Sequence, residues 1–118
     1  MKKILVVDDN LDILMVLQLF LIGQGFNVIT ESNGQKTRDL VTQYEPDLII
    51  LDVFLGNSDG RQICNELKHH NKTKEIPVII FSANAKQEEV MNASHADGFL
   101  HKPFDLKDLL RIVNEHVN

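Results

Sequence analysis

The sequence contains few basic residues, a single cysteine and no long hydrophobic run. Twelve Lys and Arg against seventeen Asp and Glu give a net charge of −5, the wrong sign for direct binding to nucleic acid. The one cysteine, Cys64, excludes an internal disulfide framework and is typical of a reducing compartment. It lies on an apolar helical stripe, so we expect a buried thiol rather than a reactive one.

The hydrophobic runs are too short for a membrane segment. The longest, residues 13–22, is interrupted by Gln18, and the N-terminal Met-Lys-Lys leads into an expected strand without a small-residue cleavage site. We therefore predict a cytoplasmic protein without a signal peptide and without a membrane among its partners. The 118 residues, free of repeats and low-complexity segments, suffice for one domain with its own core.

Short β-branched runs alternate with helical patterns along the whole chain. Runs typical of strands buried on both faces lie at Ile4–Val7, Val28–Thr30, Leu48–Leu51, Val78–Phe81 and Phe99–Leu100. Helical patterns lie at Leu11–Gly23, Gln35–Tyr44, Gly60–His70, Lys86–His95 and Leu106–Val117. Strict alternation predicts an α/β fold, a flavodoxin-like doubly wound sheet of five parallel strands in the order 2-1-3-4-5 with five helices. Its ligand crevice should lie between the carboxyl ends of the first and third strands.

Five polar side chains should meet at that edge of the sheet. Asp8 and Asp9 end the first strand, Asp52 the third, Ser82 the fourth and Lys102 the fifth. Three adjacent acids raise one another's pKa or attract a divalent cation, and an oxygen-only set suits hydrated Mg²⁺. A carboxylate beside Mg²⁺ can attack phosphorus while a lysine and a hydroxyl disperse the charge. The arrangement predicts phosphoryl transfer onto an aspartate.

Five short motifs resemble the receiver domain of two-component response regulators. They are Asp8-Asp9, Asp52 after a hydrophobic strand, Asp59-Gly60, Ser82-Ala83 and Lys102-Pro103-Phe104. Each motif alone is a weak signal, but five in the right order, spread over essentially the whole chain, are specific together.

The resemblance implies roles for the acidic residues and one backbone group. Asp52 would be the phospho-acceptor, and Asp9 and Asp52 would be direct metal ligands. Asp8 would support the metal through water, from an outer shell. The main-chain carbonyl of Phe54 would complete the protein's share of the Mg²⁺ coordination.

The resemblance also implies how the signal is passed on. Ser82 and Lys102 would hold the phosphoryl oxygens, with a cis peptide bond between Lys102 and Pro103. Movement of Ser82 toward the phosphoryl group would leave space for Phe99, the aromatic switch. The surface of the fourth helix, fifth strand and fifth helix would then change shape for a downstream protein target. The fourth helix has a weak apolar stripe, so it should be the least firmly held.

By the same resemblance, the phosphoryl group would come from a phosphohistidine on a sensor histidine kinase or a histidine phosphotransfer protein. The reaction is self-modification, so we do not expect a conventional enzyme. The chain stops just after the fifth helix, so no effector domain is expected within it. A stand-alone protein, a relay intermediate and one domain of a longer protein all remain open.

Two segments depart from the family pattern. Phe54-Leu55-Gly56-Asn57 replaces a Pro-Gly step after the acceptor, which predicts a more flexible loop. His95-Ala96-Asp97 replaces Gly-Ala-Asp, which places a histidine where positive φ is expected, at a cost of roughly 1 kcal/mol relative to glycine.

Ordinary structural roles stay open for several residues. Asp8, Asp9 or Asn10 could cap the first helix, and Asp59 the third. Ser82 could be a loop hydroxyl and Lys102 a surface lysine. We further expect an Asp105 cap, a buried stripe in the last helix and solvated histidines at helix ends. The stripe is Leu106, Leu109, Leu110, Val113 and Val117, and the histidines are His69, His70 and His116.

Other functions on this fold suit the sequence less well. An FMN carrier needs a Ser/Thr/Gly-rich phosphate loop after the first strand, and a dinucleotide-binding domain needs GxGxxG there. The segment DDNLD supplies neither of them, nor the DxD pattern of an aspartyl phosphatase. The remaining alternative is an interaction module that keeps the fold and signals without phosphorylation, although retention of all five site residues argues against it.

Overall fold

The computed structural model describes residues 1–117, which fold as alternating strands and helices. The strands are β1 (Lys3–Val7), β2 (Asn27–Glu31), β3 (Leu48–Asp52), β4 (Phe54–Leu55), β5 (Ser58–Asp59), β6 (Val78–Ser82) and β7 (Gly98–His101). The α-helices are α1 (Leu11–Gly23), α2 (Thr37–Tyr44), α3 (Gly60–Lys68), α4 (Gln87–Ser94) and α5 (Leu106–His116). A 3₁₀ turn at Gly34–Lys36 precedes α2.

Five strands form one parallel sheet in the order β2-β1-β3-β6-β7. Counted within this sheet alone, that order is 2-1-3-4-5, so the predicted flavodoxin-like topology is confirmed. The register places Val7 beside Leu51, Asp52 beside Phe81, and Ser82 beside His101. The carboxyl ends of four neighbouring strands therefore finish at one edge.

The core consists of two apolar clusters, one on each face of the sheet. Ile4 and Val6 of β1 point into the cluster covered by α1 and α5, while Leu5 and Val7 point into the cluster covered by α2, α3 and α4. Alternate strand residues face opposite sides, so a strand that is covered on both sides is apolar throughout. This explains the unbroken apolar runs. No helix within residues 1–117 has the length and apolarity to cross a membrane.

The loop after the acceptor strand contains a hairpin that the sequence did not predict. Strands β4 and β5 pair antiparallel, with Leu55 opposite Ser58, and Gly56 turns the chain at φ 65°. The hairpin packs on the 3₁₀ turn, since a Cβ atom at Gly34 would lie 2.9 Å from the Cβ of Ser58. This segment is therefore held by pairing and packing, whereas the sequence had suggested a flexible loop.

Helix ends agree with the sequence in three places. Asn10 caps α1 by accepting hydrogen bonds from the amides of Asp12 and Ile13, and Asp59 caps α3 by accepting one from the amide of Arg61. His95 ends α4 with φ 57°, as its position predicted.

Three expectations for the last helix need correction. Asp105 holds the N-cap position of α5, but its side chain makes no capping hydrogen bond. Leu106 is exposed at the end of the stripe rather than buried. His116 is half-buried and not solvated, since its Nδ1 lies 2.8 Å from the carbonyl oxygen of Ile112 and its Nε2 lies 3.1 Å from that of Asp97.

Candidate functional site

Three carboxylates meet at the carboxyl edge of the sheet. Asp8 and Asp9 follow β1, Asp52 ends β3, and each offers an oxygen that lies within 4.8 Å of the others. Asp8 is completely buried, Asp52 is 6% exposed, and Asp9 faces solvent. Adjacent parallel strands bring these residues together because their ends are in register.

Both carboxylate oxygens of Asp8 accept hydrogen bonds that hold the side chain in place. Oδ1 accepts a hydrogen bond from the amide of Asn10 at 2.8 Å, and Oδ2 accepts one from Nζ of Lys102 at 2.7 Å. Both oxygens are thus engaged by the protein, and full burial keeps the side chain in place. This suits a supporting residue better than a direct ligand.

Lys102 supplies the positive charge of the cluster. Its Nζ lies 2.7 Å from Asp8 Oδ2, 3.2 Å from Asp52 Oδ2 and 4.4 Å from the centre of the Phe81 ring. Its amide donates to the carbonyl oxygen of Ser82 at 2.9 Å, which anchors the end of β7 to the end of β6. The Lys102–Pro103 peptide bond is cis, as the resemblance implied.

The cluster carries an excess of negative charge. Three carboxylates face one ammonium group, which leaves two negative charges when all the groups are ionised. Burial raises the pKa of Asp52, and the negative charge of Asp8 raises it further, while Lys102 acts in the opposite direction. A hard divalent cation with oxygen ligands would offset this excess, so the donor set fits Mg²⁺.

The backbone beside Asp52 is closely packed. A Cβ atom at Gly60 would lie 1.9 Å from the carbonyl oxygen of Asp52, so a larger residue would displace the acceptor strand. The Gly60 amide donates to the carbonyl oxygen of Val53 at 2.8 Å, and that oxygen is therefore already engaged. Phe54 follows and is 54% exposed.

Ser82 ends β6, the strand next to β3, and Phe99 lies on β7, the strand beyond it. The Ser82 side chain is buried, and its Oγ accepts a hydrogen bond from the amide of Ala85 at 3.3 Å. Phe99 is half-buried against the cluster on the α3 and α4 side, and its ring meets His101 edge to face at 5.1 Å.

Two contributors were missed from the sequence. Phe81 forms the apolar floor beneath the Lys102 ammonium, and Gly60 makes the close approach to Asp52. Phe81 directly precedes Ser82. An aromatic residue at a strand end next to a polar site residue could have indicated its contact with the site. Gly60 was noted only as part of a motif, because a close backbone approach leaves no pattern in one sequence.

The molecule is thus a doubly wound parallel sheet that ends in an acidic pocket with a lysine. Residues 4–114 match the family model of the response regulator receiver domain, and the chain therefore belongs to that family. The resemblance noted in the sequence is confirmed.

Individual relatives agree with this assignment. The DNA-binding dual master transcriptional regulator RpaA of Synechocystis sp. is 34% identical over 112 residues, which are 93% of this chain and 46% of that protein. The chain spans about half the length of the curated relatives it matches.

Solved structures show the same fold. Chemotaxis protein CheY4 of Vibrio cholerae is similar with a TM-score of 0.90 and 25% identity, over 98% of both chains. The receiver domain of sensor histidine kinase PA1611 from Pseudomonas aeruginosa has a TM-score of 0.89 and 26% identity, over 98% of this chain and 97% of that one. That structure contains a magnesium ion coordinated in its active-site cleft.

Proposed function

We propose that this receiver domain accepts a phosphoryl group onto Asp52 from a phosphohistidine of a sensor histidine kinase or histidine phosphotransfer protein, in a Mg²⁺-dependent reaction. The observation that carries the proposal is the position of Asp52. It is a nearly buried carboxylate with an oxygen within 4.8 Å of oxygens of Asp8 and Asp9, and the Lys102 ammonium lies 3.2 Å from it.

Asp52 is the nucleophile in this proposal. A carboxylate oxygen attacks phosphorus, a P–O bond forms, and the P–N bond of the donor breaks with its electron pair returning to the imidazole nitrogen. The product is an acyl phosphate on Asp52 and a neutral histidine on the donor. Gly60 supports the step by allowing the Asp52 backbone to lie where it does.

Lys102 and Ser82 stabilise the transferred group. The Lys102 ammonium already touches Asp52, and it can donate to a phosphoryl oxygen bonded at the same carboxylate. The Ser82 hydroxyl accepts from Ala85, so its own hydrogen is available for another phosphoryl oxygen. Asp8 keeps the lysine aimed at the site through the 2.7 Å contact.

The magnesium site would use Asp9 and Asp52 as direct ligands, Asp8 through water and the main-chain carbonyl of Phe54. The ion, when bound, would neutralise the excess carboxylate charge and disperse charge on the transferred oxygens. In support, Asp9 is open to solvent while both oxygens of Asp8 are held by protein donors.

We place the output on the surface formed by α4, β7 and α5. Val90 and Ser94 are the buried residues of α4, so this helix has a small apolar contact with the sheet. Phe99 is half-buried between that helix side and the exposed His101 ring. Phosphorylation would shift the population toward a state with Ser82 at the phosphoryl group and Phe99 turned inward.

The experiment is incubation of the purified protein with acetyl phosphate and Mg²⁺, followed by intact-mass spectrometry. One phosphoryl group should be added, and none should be added in excess EDTA. Asp52→Asn should abolish the addition, while Asp12→Asn, at an exposed acid of α1, should retain it.

The interaction module without phosphorylation predicts a different result. Its mass would stay unchanged under all of these conditions. Equal phosphoryl occupancy in the wild type and in Asp52→Asn would show that the acceptor is assigned to the wrong residue.

A further inference from the structure

Phe81 is the largest fully buried side chain among residues 1–117. It lies on β6 and pairs in register with Asp52 of β3. Two residues earlier on the same strands, Ile79 pairs with Ile50, and both lie in the cluster on the α1 and α5 side of the sheet. Because every second residue of a strand faces the same way, the side chains of Phe81 and Asp52 are on that same side.

The Lys102 ammonium lies over the face of the Phe81 ring. Nζ is 4.4 Å from the ring centre, well inside the distance of about 6 Å at which an aromatic face attracts a cation. The Lys102 side chain is only 16% exposed, so little water competes with this attraction. Since a cation–π contact is strongest where the cation is desolvated, the ring attracts the ammonium as well as filling space beside it.

The hydrogen bonds of the ammonium leave room for the ring. An ammonium group has three N–H donors. Asp8 accepts a hydrogen bond from Nζ at 2.7 Å, and Asp52 accepts one at 3.2 Å. These bonds depend on direction, whereas the attraction to the ring depends chiefly on where the positive charge lies. The ring can therefore hold the ammonium whichever oxygen atoms accept its hydrogen bonds.

The ring itself is fixed by a second aromatic contact. Phe81 meets Phe104 edge to face, with the ring centres 6.0 Å apart and the planes at 61°. Phe104 lies two residues after Lys102 in the same segment. One buried ring thus contacts both ends of the segment that carries the lysine, and it provides a rigid support for that segment.

We propose that Phe81 is a positioning residue for phosphoryl transfer, because its aromatic face holds the Lys102 ammonium beside Asp52 while the hydrogen-bond partners of that ammonium change. This inference rests on the proposed phosphorylation of Asp52. During the transfer the ammonium exchanges a carboxylate oxygen for a phosphoryl oxygen. The attraction to the ring persists through this exchange, so the positive charge stays where negative charge develops.

Packing alone predicts a different dependence on the chemistry of the ring. If Phe81 only filled space, any ring of nearly the same shape would serve equally well. Fluorine atoms at the ring edge withdraw electron density from the face, and they weaken its attraction for a cation in step with their number. A series of proteins with one, two or three fluorine atoms on the ring at position 81 therefore separates positioning from packing.

The first test is the rate of phosphorylation of this series by acetyl phosphate with Mg²⁺. The logarithm of the second-order rate constant should fall in step with the number of fluorine atoms, to about tenfold below the wild type for three. The same fluorinated residues at position 26 are the control. Phe26 packs against the same apolar cluster, and its fluorination should leave the rate unchanged.

The second test measures the contact without phosphorylation. Urea denaturation in EDTA gives the midpoint for each fluorinated protein, both with Lys102 and in the Lys102→Met background. Effects of fluorine on core packing are common to both backgrounds, so the difference between them isolates the attraction between the ring and the ammonium. Each added fluorine should lower the midpoint more in the presence of Lys102 than in its absence.

The outcomes distinguish this inference from the proposed function. A wild type that is phosphorylated at Asp52, with a rate that fluorination at position 81 does not change, would overturn the role of Phe81 and leave the proposed function intact. Equal effects of fluorination on the midpoint in both backgrounds would overturn the contact itself. A wild type that takes up no phosphoryl group would refute the proposed function, and the positioning role would be refuted with it.

Discussion

The ammonium of Lys102 lies 2.7 Å from Oδ2 of Asp8, and this contact joins residues that are 94 positions apart in the sequence. Asp8 is completely buried, and Lys102 retains little exposure. The pair links the first and last strands of the sheet across the acceptor residue, so it organises the site as well as the fold.

Loss of one partner of this ion pair should be costly. Lys102→Met leaves the buried Asp8 carboxylate without its ammonium, and we expect the free energy of unfolding to fall by about 3 kcal/mol. Asp8→Asn combined with Lys102→Met should recover much of that loss. Urea denaturation in EDTA measures both, with Lys107→Met, at an exposed lysine of α5, as the control. A loss no larger than that of the control would show that the pair contributes little.

Ionisation of Asp52 should make the free energy of unfolding decrease as the pH rises. The pKa of Asp52 is raised above its ordinary 3.8 by burial first and by Asp8 second, so the folded state binds the proton more tightly than the unfolded chain. This contribution favours folding below about pH 4 and is lost as the pH rises through the raised pKa. Asp52→Asn should therefore be more stable than the wild type at pH 7 in EDTA, with the advantage shrinking toward pH 4.

Asp59 provides a control, because its ionisation should change the free energy of unfolding with pH in the opposite direction to that of Asp52. Its pKa is lowered, chiefly by the hydrogen bond from Arg61, so its contribution is present above its unfolded pKa and is lost as the pH falls. Asp59→Asn should be less stable than the wild type at pH 7. If both variants shifted stability in the same direction, the electrostatic explanation would fail.

Asp9 should separate metal binding from folding. Mg²⁺ should raise the melting temperature of the wild type, and Asp9→Ala should remove that effect. The same substitution should make the metal-free protein more stable, because it removes one of three adjacent acids that repel one another. Calorimetry with and without Mg²⁺ measures both effects. Asp12→Ala, outside the cluster, should keep the response to Mg²⁺. A metal-free Asp9→Ala protein less stable than the wild type would contradict the repulsion argument.

The switch should be visible beyond the site. Beryllofluoride with Mg²⁺ mimics the phosphoryl group, and it should perturb NMR signals across residues 82–95 and 99–107. Phe99→Ala should keep phosphorylation but reduce the perturbation in α4, while Phe26→Ala, a half-buried phenylalanine on the other face, should not. Perturbations confined to the loops around Asp9, Asp52 and Lys102 would reduce the domain to a phosphate acceptor without a switch.

The sheet and the acidic cluster could be predicted because each follows from a strong periodic signal. Strands such as Ile49–Leu51 are apolar at every position because both faces are covered, and their ends must lie at one edge. The topology alone therefore predicted that the acids at the ends of β1 and β3 lie close together. The cap of α1 could be narrowed to Asp8, Asp9 or Asn10, and that of α3 to Asp59, because capping is a local property.

What the sequence did not show depends on tertiary contacts. The two-residue strands β4 and β5 are too short to have a period, and their packing on Gly34 joins distant segments. The residues of α1 are apolar at nearly every position, so the sequence pattern did not predict which side of the helix faces solvent. Leu106 and His116 differed from expectation because the position of α5 on the sheet decides their exposure.

The most direct test of the central claim is chemical mapping of the phosphorylated residue. The protein is phosphorylated with acetyl phosphate and Mg²⁺, and then borohydride reduces the acyl phosphate, which converts the modified aspartate to homoserine. Proteolysis and tandem mass spectrometry locate the converted residue. We expect homoserine at position 52 and unchanged Asp8 and Asp9. Conversion at another aspartate, or a phosphorylated protein without any converted residue, would contradict it.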